Sequence, residues 1–376
     1  MNLRICRVTN ALYPDLYGGH AIYCHELSMK QANIGHEITV ITCRRDGLPR
    51  TEIVQPSYFT LRLSRTWMPW DSLGMKNPVL PTLNSYVKHL NCDLVDAHSH
   101  LFLTTAMAVK AARDCGKPVV TTVHGVMAER SLFVNLSQEA YIRSIGLWAL
   151  RNSSMVICLT QSDMSQLIRL GIQPARIRVV PTGIDVEKFK PSDSEGNYVL
   201  WVGRCVPEKG LQHLLEAARL VISRGESIRF VLIGDGPTKR KLMRIAEENN
   251  LLGRVTFLPS RNQEEVSRWV RNCSLFVMPS LREGSPRAIV EAMASGKVVV
   301  ASDLPSIRET VEHAAVLVQP RNAKALADAI VGLLENKNLR LESGRIARQL
   351  ALEKFSWDSI LQKIDKVYEQ VLKQAN

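Results

Sequence analysis

Residues 274–302 read SLFVMPSLREGSPRAIVEAMASGKVVVAS. The apolar run SLFVMPS has the character of a strand. A short loop then carries Glu283 and Gly284, and a helix is expected to follow, with Ser285 as its N-cap and Pro286 at its first position. KVVVAS is a second apolar run. Such continuous runs suit parallel strands covered on both faces, and a helix between two of them suits a crossover.

The same alternation extends outward. YVLWVG (198–203), RFVLIG (229–234) and RVTFLP (254–259) precede this unit, and AAVLVQ (314–319) follows it, with helix-length stretches between. The first half repeats the pattern with LRICRVT (3–9), a helix over about 19–34, EITVIT, DLVDAH, PVVTTVH and MVICLT. TTAMAVKAARDCG has the length of a crossover helix. Between the halves, residues 181–197 (PTGIDVEKFKPSDSEGN) lack periodicity and are rich in Pro, Gly, Ser and charge, as a linker would be. The fold class expected is therefore α/β, with two Rossmann-like, doubly wound parallel-sheet domains facing across a cleft. The expected divisions are 1–180, a linker 181–197, a second domain 198–355 and a terminal helix 356–376.

Composition narrows the function. In 376 residues, 45% are hydrophobic and 22% charged, which excludes a disordered chain, a collagen and a coiled coil. No apolar run reaches the roughly 18 residues of a membrane span. MNLRICRV enters a strand pattern directly, without a leader-like apolar region. A cytoplasmic protein is expected. The net charge of +12 is shared evenly between the halves rather than gathered in a tail, so a solvated basic surface is its simplest account. None of the eight cysteines forms a C-x-x-C pair, and buried reduced thiols are expected.

In open α/β sheets ligands bind beyond the carboxyl ends of strands, and the unusual residues lie there. The helix start after Ser285 offers free N–H groups to an anion. Glu283 sits beside it, and Glu291 comes eight residues later inside the helix. Two carboxylates near a phosphate site suit sugar hydroxyls, one from a ribose and one from a hexose. After YVLWVG come Gly203, Arg204 and Lys209, a guanidinium fork and a point charge able to neutralise a diphosphate and stabilise it as a leaving group. Gly18 and Gly19 follow the first strand and permit close backbone approach to a phosphate, without making a G-x-G-x-x-G fingerprint. Gly234-Asp235-Gly236-Pro237 reads by default as a turn. His124 ends PVVTTVH, where it can bond a sugar hydroxyl or move a proton. His98 and His100 compete for that role. Their H-x-H spacing suggests a metal, but no carboxylate completes a site, no D-x-D segment exists, and no metal is expected. Arg62, Arg65, Trp67, Met68 and Trp70 lie in one stretch that suits a membrane interface, an acceptor-binding lip, or equally a loop packed on its own domain.

These segments resemble the retaining family-4 glycosyltransferases of the GT-B fold over nearly the whole chain. The most specific match is the E-x7-E pattern of Glu283 and Glu291. VGRCVPEKG is similar to the family's G-R-x-x-x-E-K-G turn, VPTGIDVEKFKP to its inter-domain stretch, and Gly18-Gly19 to its N-terminal glycine pair. EKFSWDSI is similar to the segment where the last helix returns toward the first domain. The resemblance implies metal-free transfer, with retained configuration, from a nucleotide-diphosphate sugar, the donor being a substrate and no cofactor being needed. It implies that Arg204 and Lys209 hold the diphosphate, Glu291 the ribose hydroxyls and Glu283 the transferred sugar. Gly284, Ser285 and Pro286 shape the loop at the sugar and phosphate, Gly19 approaches the phosphates, and His124 meets the sugar. Two departures stand out. Leu304-Pro305-Ser306 and Pro259 lie where the family often has glycines, and Pro259 falls near the expected base site.

The expected activity is hexosyl transfer from a UDP- or GDP-sugar to a hydroxyl of a lipid-linked or glycan acceptor, with a peripheral place at the inner face of a membrane and an anionic membrane surface as a further partner. A nucleotide-sugar 2-epimerase and a non-catalytic carbohydrate- or lipid-binding module are the alternatives. A nucleic-acid partner is not expected, for want of an aromatic-basic motif.

Overall fold

The computed structural model describes residues 2–15, 19–67, 77–125, 139–192 and 194–375. The chain divides into two compact units, Met1–Gly183 with Trp357–Asn376, and Ile184–Ser356.

The first unit is built on an eight-stranded sheet of order β10-β9-β8-β7-β1-β2-β4-β3. Its strands are β1 (Arg4–Val8), β2 (Glu37–Cys43), β3 (Thr51–Gln55), β4 (Tyr58–Leu63), β7 (Leu94–His98), β8 (Val119–Val123), β9 (Met155–Cys158) and β10 (Ile177–Val179). A separate short ladder joins β5 (Thr66–Trp67) to β6 (Pro78–Val79). Neighbours in the large sheet are parallel, with Ile5 opposite both Ile38 and Leu94, except that β3 runs antiparallel on the edge. The β3–β4 hairpin was not among the expected strands. β3 is TEIVQ, polar and largely exposed, so it lacks the continuous apolar run that betrays the interior strands.

The second unit carries a six-stranded parallel sheet of order β13-β12-β11-β14-β15-β16. These are β11 (Tyr198–Val202), β12 (Arg229–Ile233), β13 (Val255–Leu258), β14 (Leu275–Met278), β15 (Val299–Ser302) and β16 (Ala315–Val318). Interior strands such as β14 (LFVM) and β15 (VVAS) are buried at every position, as helices on both faces require. Residues 184–197 contribute Ile184 and Phe189 to this unit's core, and the Ile184 N–H donates to the Phe355 carbonyl at 2.8 Å. The C-terminal helix Trp357–Ala375 packs Trp357, Ile364 and Tyr368 into a core of the first unit instead.

Both sheets start at a central strand and grow outward in two directions. The order reverses between β1 and β7 in the first unit and between β11 and β14 in the second. Beyond the carboxyl ends of such strand pairs the crossovers diverge and leave a crevice. Among the described residues, no helix is long and apolar enough to cross a membrane.

A buried charge pair anchors the first crevice. Arg7 on β1 donates through Nε to Asp96 Oδ2 on β7 at 3.0 Å, with side-chain exposures of 0% and 1%. Arg7 also reaches Ser28 Oγ and Gln31 Oε1 on the first helix, Gly19–Asn33, at 2.6 Å each. Tyr368 of the C-terminal helix donates its hydroxyl to Asp96 Oδ2 at 2.9 Å. Removing one partner strands the other charge, so Arg7→Met is expected to cost about 3–5 kcal/mol. Tyr368→Phe should cost less, about 1.5–3 kcal/mol, because it removes one hydrogen bond to the carboxylate and leaves the ion pair in place. Urea denaturation of both variants checks the ranking, and equal losses would refute it.

Candidate active site

In the second unit, the loops after β11 and β14 are zipped together at the switch point. Leu281 N–H donates to the Glu208 carbonyl at 2.7 Å. Gly210 follows the turn Pro207–Lys209 with φ +63, and a Cβ there would lie 2.1 Å from the Pro279 carbonyl oxygen. Only glycine meets both conditions. This contact brings Lys209 to Glu283, Nζ to Oε1 at 2.6 Å, with Lys209 23% and Glu283 6% exposed. Ser280 Oγ donates to the same Oε1 at 2.6 Å, and Ser306 Oγ donates to the Glu283 carbonyl at 2.7 Å. Glu283 is thus held by its side chain and its backbone.

Arg204 is exposed just beyond β11. Its loop is held from the other side. Gly203 N–H donates to the Ile233 carbonyl at 3.0 Å, and Cys205 N–H to the Asp235 carbonyl at 2.9 Å. At Gly234, φ is +151 and a Cβ would fall 1.7 Å from the Gly203 carbonyl oxygen. The Gly-Asp-Gly segment that reads as a plain turn is therefore the brace of the Arg204 loop.

The helix after β14 spans Arg287–Ala294. Ser285 is not its N-cap. Pro286 occupies that position, with φ −82 and ψ 70 and no side-chain cap, and Ser285 instead accepts the Arg287 N–H at its carbonyl, 2.9 Å away. The ψ of Pro286 is not helical, so the first turn starts one residue later than expected and Pro286 is not the first helical residue. Gly284 and Ser285 lie half-buried in the loop between Glu283 and this start. Glu291 is the fifth helical residue, buried, and accepts from Arg287 Nε at 3.0 Å.

In the first unit, Gly18 lies outside the described residues. Gly19 opens the first helix, with nothing within 4 Å of where a Cβ would be. His124 follows β8 directly and lies near His98, which ends β7; His98 Nδ1 and His124 Nε2 are 3.0 Å apart. His98 Nε2 pairs with Asp96 Oδ2 at 3.0 Å. Burial opposes charge on His98, but the Asp96 carboxylate outweighs it and raises His98 to about 9. Burial, with His20 beside it, lowers His124 to about 3. Asp96 thus favours the charged form of His98, whereas burial favours the neutral form of His124. His20 stacks on His124 with ring centroids 4.4 Å apart, and Tyr23 meets His124 edge-on at 5.0 Å. His100 is buried but is not one of the clustered histidines. Neither His20 nor Asp96 stood out in the sequence, since each is an isolated polar residue in an otherwise ordinary segment.

The stretch from Arg62 divides. Arg62 lies on β4, buried, and forks onto Asp15 at 2.7 and 2.9 Å with Glu52 at 2.7 Å, so it belongs to the interior and not to a lip. The Trp67 side chain, Met68 and Trp70 fall outside the described residues. Arg65 instead lines a cavity of about 580 Å³ with Arg44, Arg45, Asp46, Gly47 and Ser64.

Two doubly wound units of eight and six strands, each with polar residues at its switch point, define the GT-B glycosyltransferase fold. Solved structures agree. Sucrose-phosphate synthase from Thermosynechococcus elongatus superposes with a TM-score of 0.82 at 21% identity, covering 99% of this chain and all of that one. Residues 184–350 match the model of the glycosyl transferases group 1, and residues 17–188 that of glycosyltransferase family 4. The chain belongs to this family and is a glycosyltransferase that draws on nucleotide-sugar donors. It is 28% identical to the UDP-Gal:alpha-D-GlcNAc-diphosphoundecaprenol alpha-1,3-galactosyltransferase of Escherichia coli, over 95% of this chain and 94% of that one. It is 22% identical to the GDP-mannose:cellobiosyl-diphosphopolyprenol alpha-mannosyltransferase of Xanthomonas campestris, over 98% and 97%.

The Gly210 contact can be isolated with Gly253, which has φ +85 but no atom within 4 Å of a Cβ. Gly253→Ala should lose about 1–2 kcal/mol from backbone strain alone. Gly210→Ala adds a backbone clash and should melt at a clearly lower temperature. Matching melting temperatures would remove the Gly210–Pro279 contact from the account of this site.

Proposed function

We propose that the chain transfers a hexosyl unit, with retention and without a metal, from a nucleotide-diphosphate sugar to a hydroxyl of a lipid-linked acceptor. The observation that carries this reading is the junction at the β11/β14 switch point, where Lys209 and Glu283 are paired at 2.6 Å beside the exposed Arg204. Cations and a carboxylate on one rim suit a ligand with a diphosphate at one end and a polyhydroxylated ring at the other.

In this reading Arg204 and Lys209 take the diphosphate and stabilise it as it leaves. The positive end of the helix Arg287–Ala294, which has no side-chain cap, adds positive potential, with Gly284, Ser285 and Pro286 shaping the approach to it. Glu283 accepts from hydroxyls of the transferred sugar and Glu291 from the ribose. Gly19, with open space where a Cβ would be, leaves room for phosphate oxygens near the backbone, Gly203 makes room for the Trp201 ring beneath the Arg204 loop, and His124 bonds a sugar hydroxyl. The bond from the anomeric carbon to the phosphate oxygen breaks, and the acceptor oxygen bonds to that carbon from the same face. The acceptor's proton passes to the departing diphosphate.

The cavity at Arg44, Arg45 and Arg65 supports an anionic acceptor. A second cavity of about 310 Å³ shares Arg44, Ser64 and Arg65 and adds Arg50, Leu63 and Pro81. Arginines beside apolar side chains suit a diphosphate joined to a lipid, and would place the enzyme at an anionic membrane face. The activities named for the two relatives, each directed at a diphosphate-linked polyprenol or undecaprenol, support the same acceptor class.

Incubation with UDP-glucose, UDP-galactose, UDP-N-acetylglucosamine and GDP-mannose in EDTA should give slow nucleotide release from one donor. Arg204→Ala should lower turnover roughly 100-fold or more. Unchanged turnover removes Arg204 from the mechanism. Arg44→Ala with Arg65→Ala should raise KM for a polyprenol-diphosphate acceptor about 10-fold or more while sparing donor hydrolysis, since each lost charged bond is worth about 1.5–3 kcal/mol. An unaltered acceptor KM rules this cavity out.

A further inference from the structure

Four side chains of the first unit converge in a way that sugar transfer does not require. His20 and Cys24, from the first helix, meet His98 from β7 and His124 from the end of β8. One ligand atom from each lies within 4.8 Å of the other three. We propose that this cluster is a tetrahedral site for a zinc-class divalent cation, held by three imidazoles and one thiolate.

The spacing suits such an ion. With Zn–N near 2.0–2.1 Å and Zn–S near 2.3 Å, a tetrahedral site sets its ligand atoms about 3.4–3.6 Å apart. His98 Nδ1 and His124 Nε2 are 3.0 Å apart, so they need to part by only about 0.4 Å. The widest separation, at most 4.8 Å, needs to close by roughly 1.2 Å, a shift that rotation of two side chains can share. The donor set of borderline nitrogens with a soft sulfur selects zinc over magnesium or calcium, which take oxygen ligands.

The surroundings also fit. His98 turns Nε2 to Asp96 at 3.0 Å, which leaves Nδ1 as the nitrogen directed into the cluster. A carboxylate behind a ligand histidine fixes the ring and raises its basicity, as metal sites commonly arrange. Asp96 is itself fixed by Arg7 and Tyr368. Thr9 Oγ1 lies 3.2 Å from His20 Nε2, steadying that ring. Cys24 and His98 are buried while His20 and His124 are half-buried, so an ion has an entry side. The H-x-H pair of the sequence is not the determinant. His98 joins residues far from it in the chain.

A consequence follows that rests on the reading of His124 under Proposed function. An ion on His124 withdraws it from the sugar, so zinc inhibits transfer and chelation restores it.

The test is cobalt substitution of the purified full-length chain. One cobalt per chain should be retained through gel filtration, with intense tetrahedral bands in the visible and a near-ultraviolet thiolate-to-cobalt band. Cys24→Ser should abolish the thiolate band. His20→Ala, at a half-buried position, should weaken binding by more than the roughly 10–100-fold typical of a ligand's supporting partner. No retained cobalt, a weak six-coordinate spectrum, or a spectrum unaltered in both variants would overturn the site. Zinc should inhibit the wild-type enzyme reversibly and Cys24→Ser far less. A tetrahedral cobalt spectrum with unimpaired transfer would keep the site and remove His124 from the transfer reading.

Discussion

Each sheet begins in its middle. β1 and β11 are the first strands of their sheets, and later strands are laid down on either side of them. Because parallel crossovers are right-handed, opposite directions of growth send the helices to opposite faces. The loops leaving β1 and β7, and those leaving β11 and β14, must therefore part company. Backbone groups and side chains at these points have no covering helix and are available to a ligand. Lys209, Glu283, His98 and His20 all lie at or just beyond those four strands, and His124 follows the neighbouring strand β8. Chain topology, more than any one motif, gathers the residues of each unit.

Within the first unit this arrangement carries an electrostatic cost, and the Arg7–Asp96 pair shows how it is met. An ion pair buried to this degree is a weak source of net stability, because desolvation consumes most of its attraction. Its effect is positional. Asp96 Oδ2 receives Arg7, His98 and Tyr368, which come from β1, β7 and the C-terminal helix. One carboxylate oxygen thereby ties the last helix of the chain to the first strand and sets the ring of His98. The orientation of His98 then determines which nitrogen faces His124.

Most interior strands were legible in the sequence because burial on both faces leaves an uninterrupted apolar run, as in YVLWVG and SLFVMPS. β4 (YFTLRL) was missed although it lies inside the sheet, since Thr60 and Arg62 break its run, and β3 was missed because an edge strand tolerates the Glu and Gln that disguise it. Arg204, Lys209 and Glu283 stood out because they sit in short loops directly after strands, and Glu291 by its spacing from Glu283 on the helix that follows. The start of the helix after β14 was misread by one residue, since Ser-Pro is a good cap and first residue by preference while the ψ of Pro286 decides otherwise. The supports of Glu283 were hidden. Ser306 lies in the segment that departs from the family pattern, and its hydroxyl donates to the Glu283 carbonyl across 23 residues of sequence. His20, Cys24, His98 and His124 are spread over about a hundred residues, and no spacing rule connects them. Only the strand order of the sheet does.

The ion pairs of the two units differ in a way that separates scaffold from rim. Arg7 and Asp96 are almost wholly inaccessible, and parting them exposes neither to water, so the cost is about 3–5 kcal/mol. Lys209 keeps 23% of its side chain in solvent, so parting it from Glu283 returns the ammonium to water and costs less than parting Arg7 from Asp96. On the proposed function, an incoming diphosphate draws Lys209 from Glu283 at that lower cost. Glu283 does not then lose its place, because Ser280 holds its carboxylate and Ser306 its carbonyl. The carboxylate that Lys209 leaves behind is free to accept hydroxyl donors at that moment. On the proposed roles of Lys209 and Glu283, the pair is a latch that opens on one ligand group and presents an acceptor to the next, whereas the buried pair beneath the histidines is held shut from three sides.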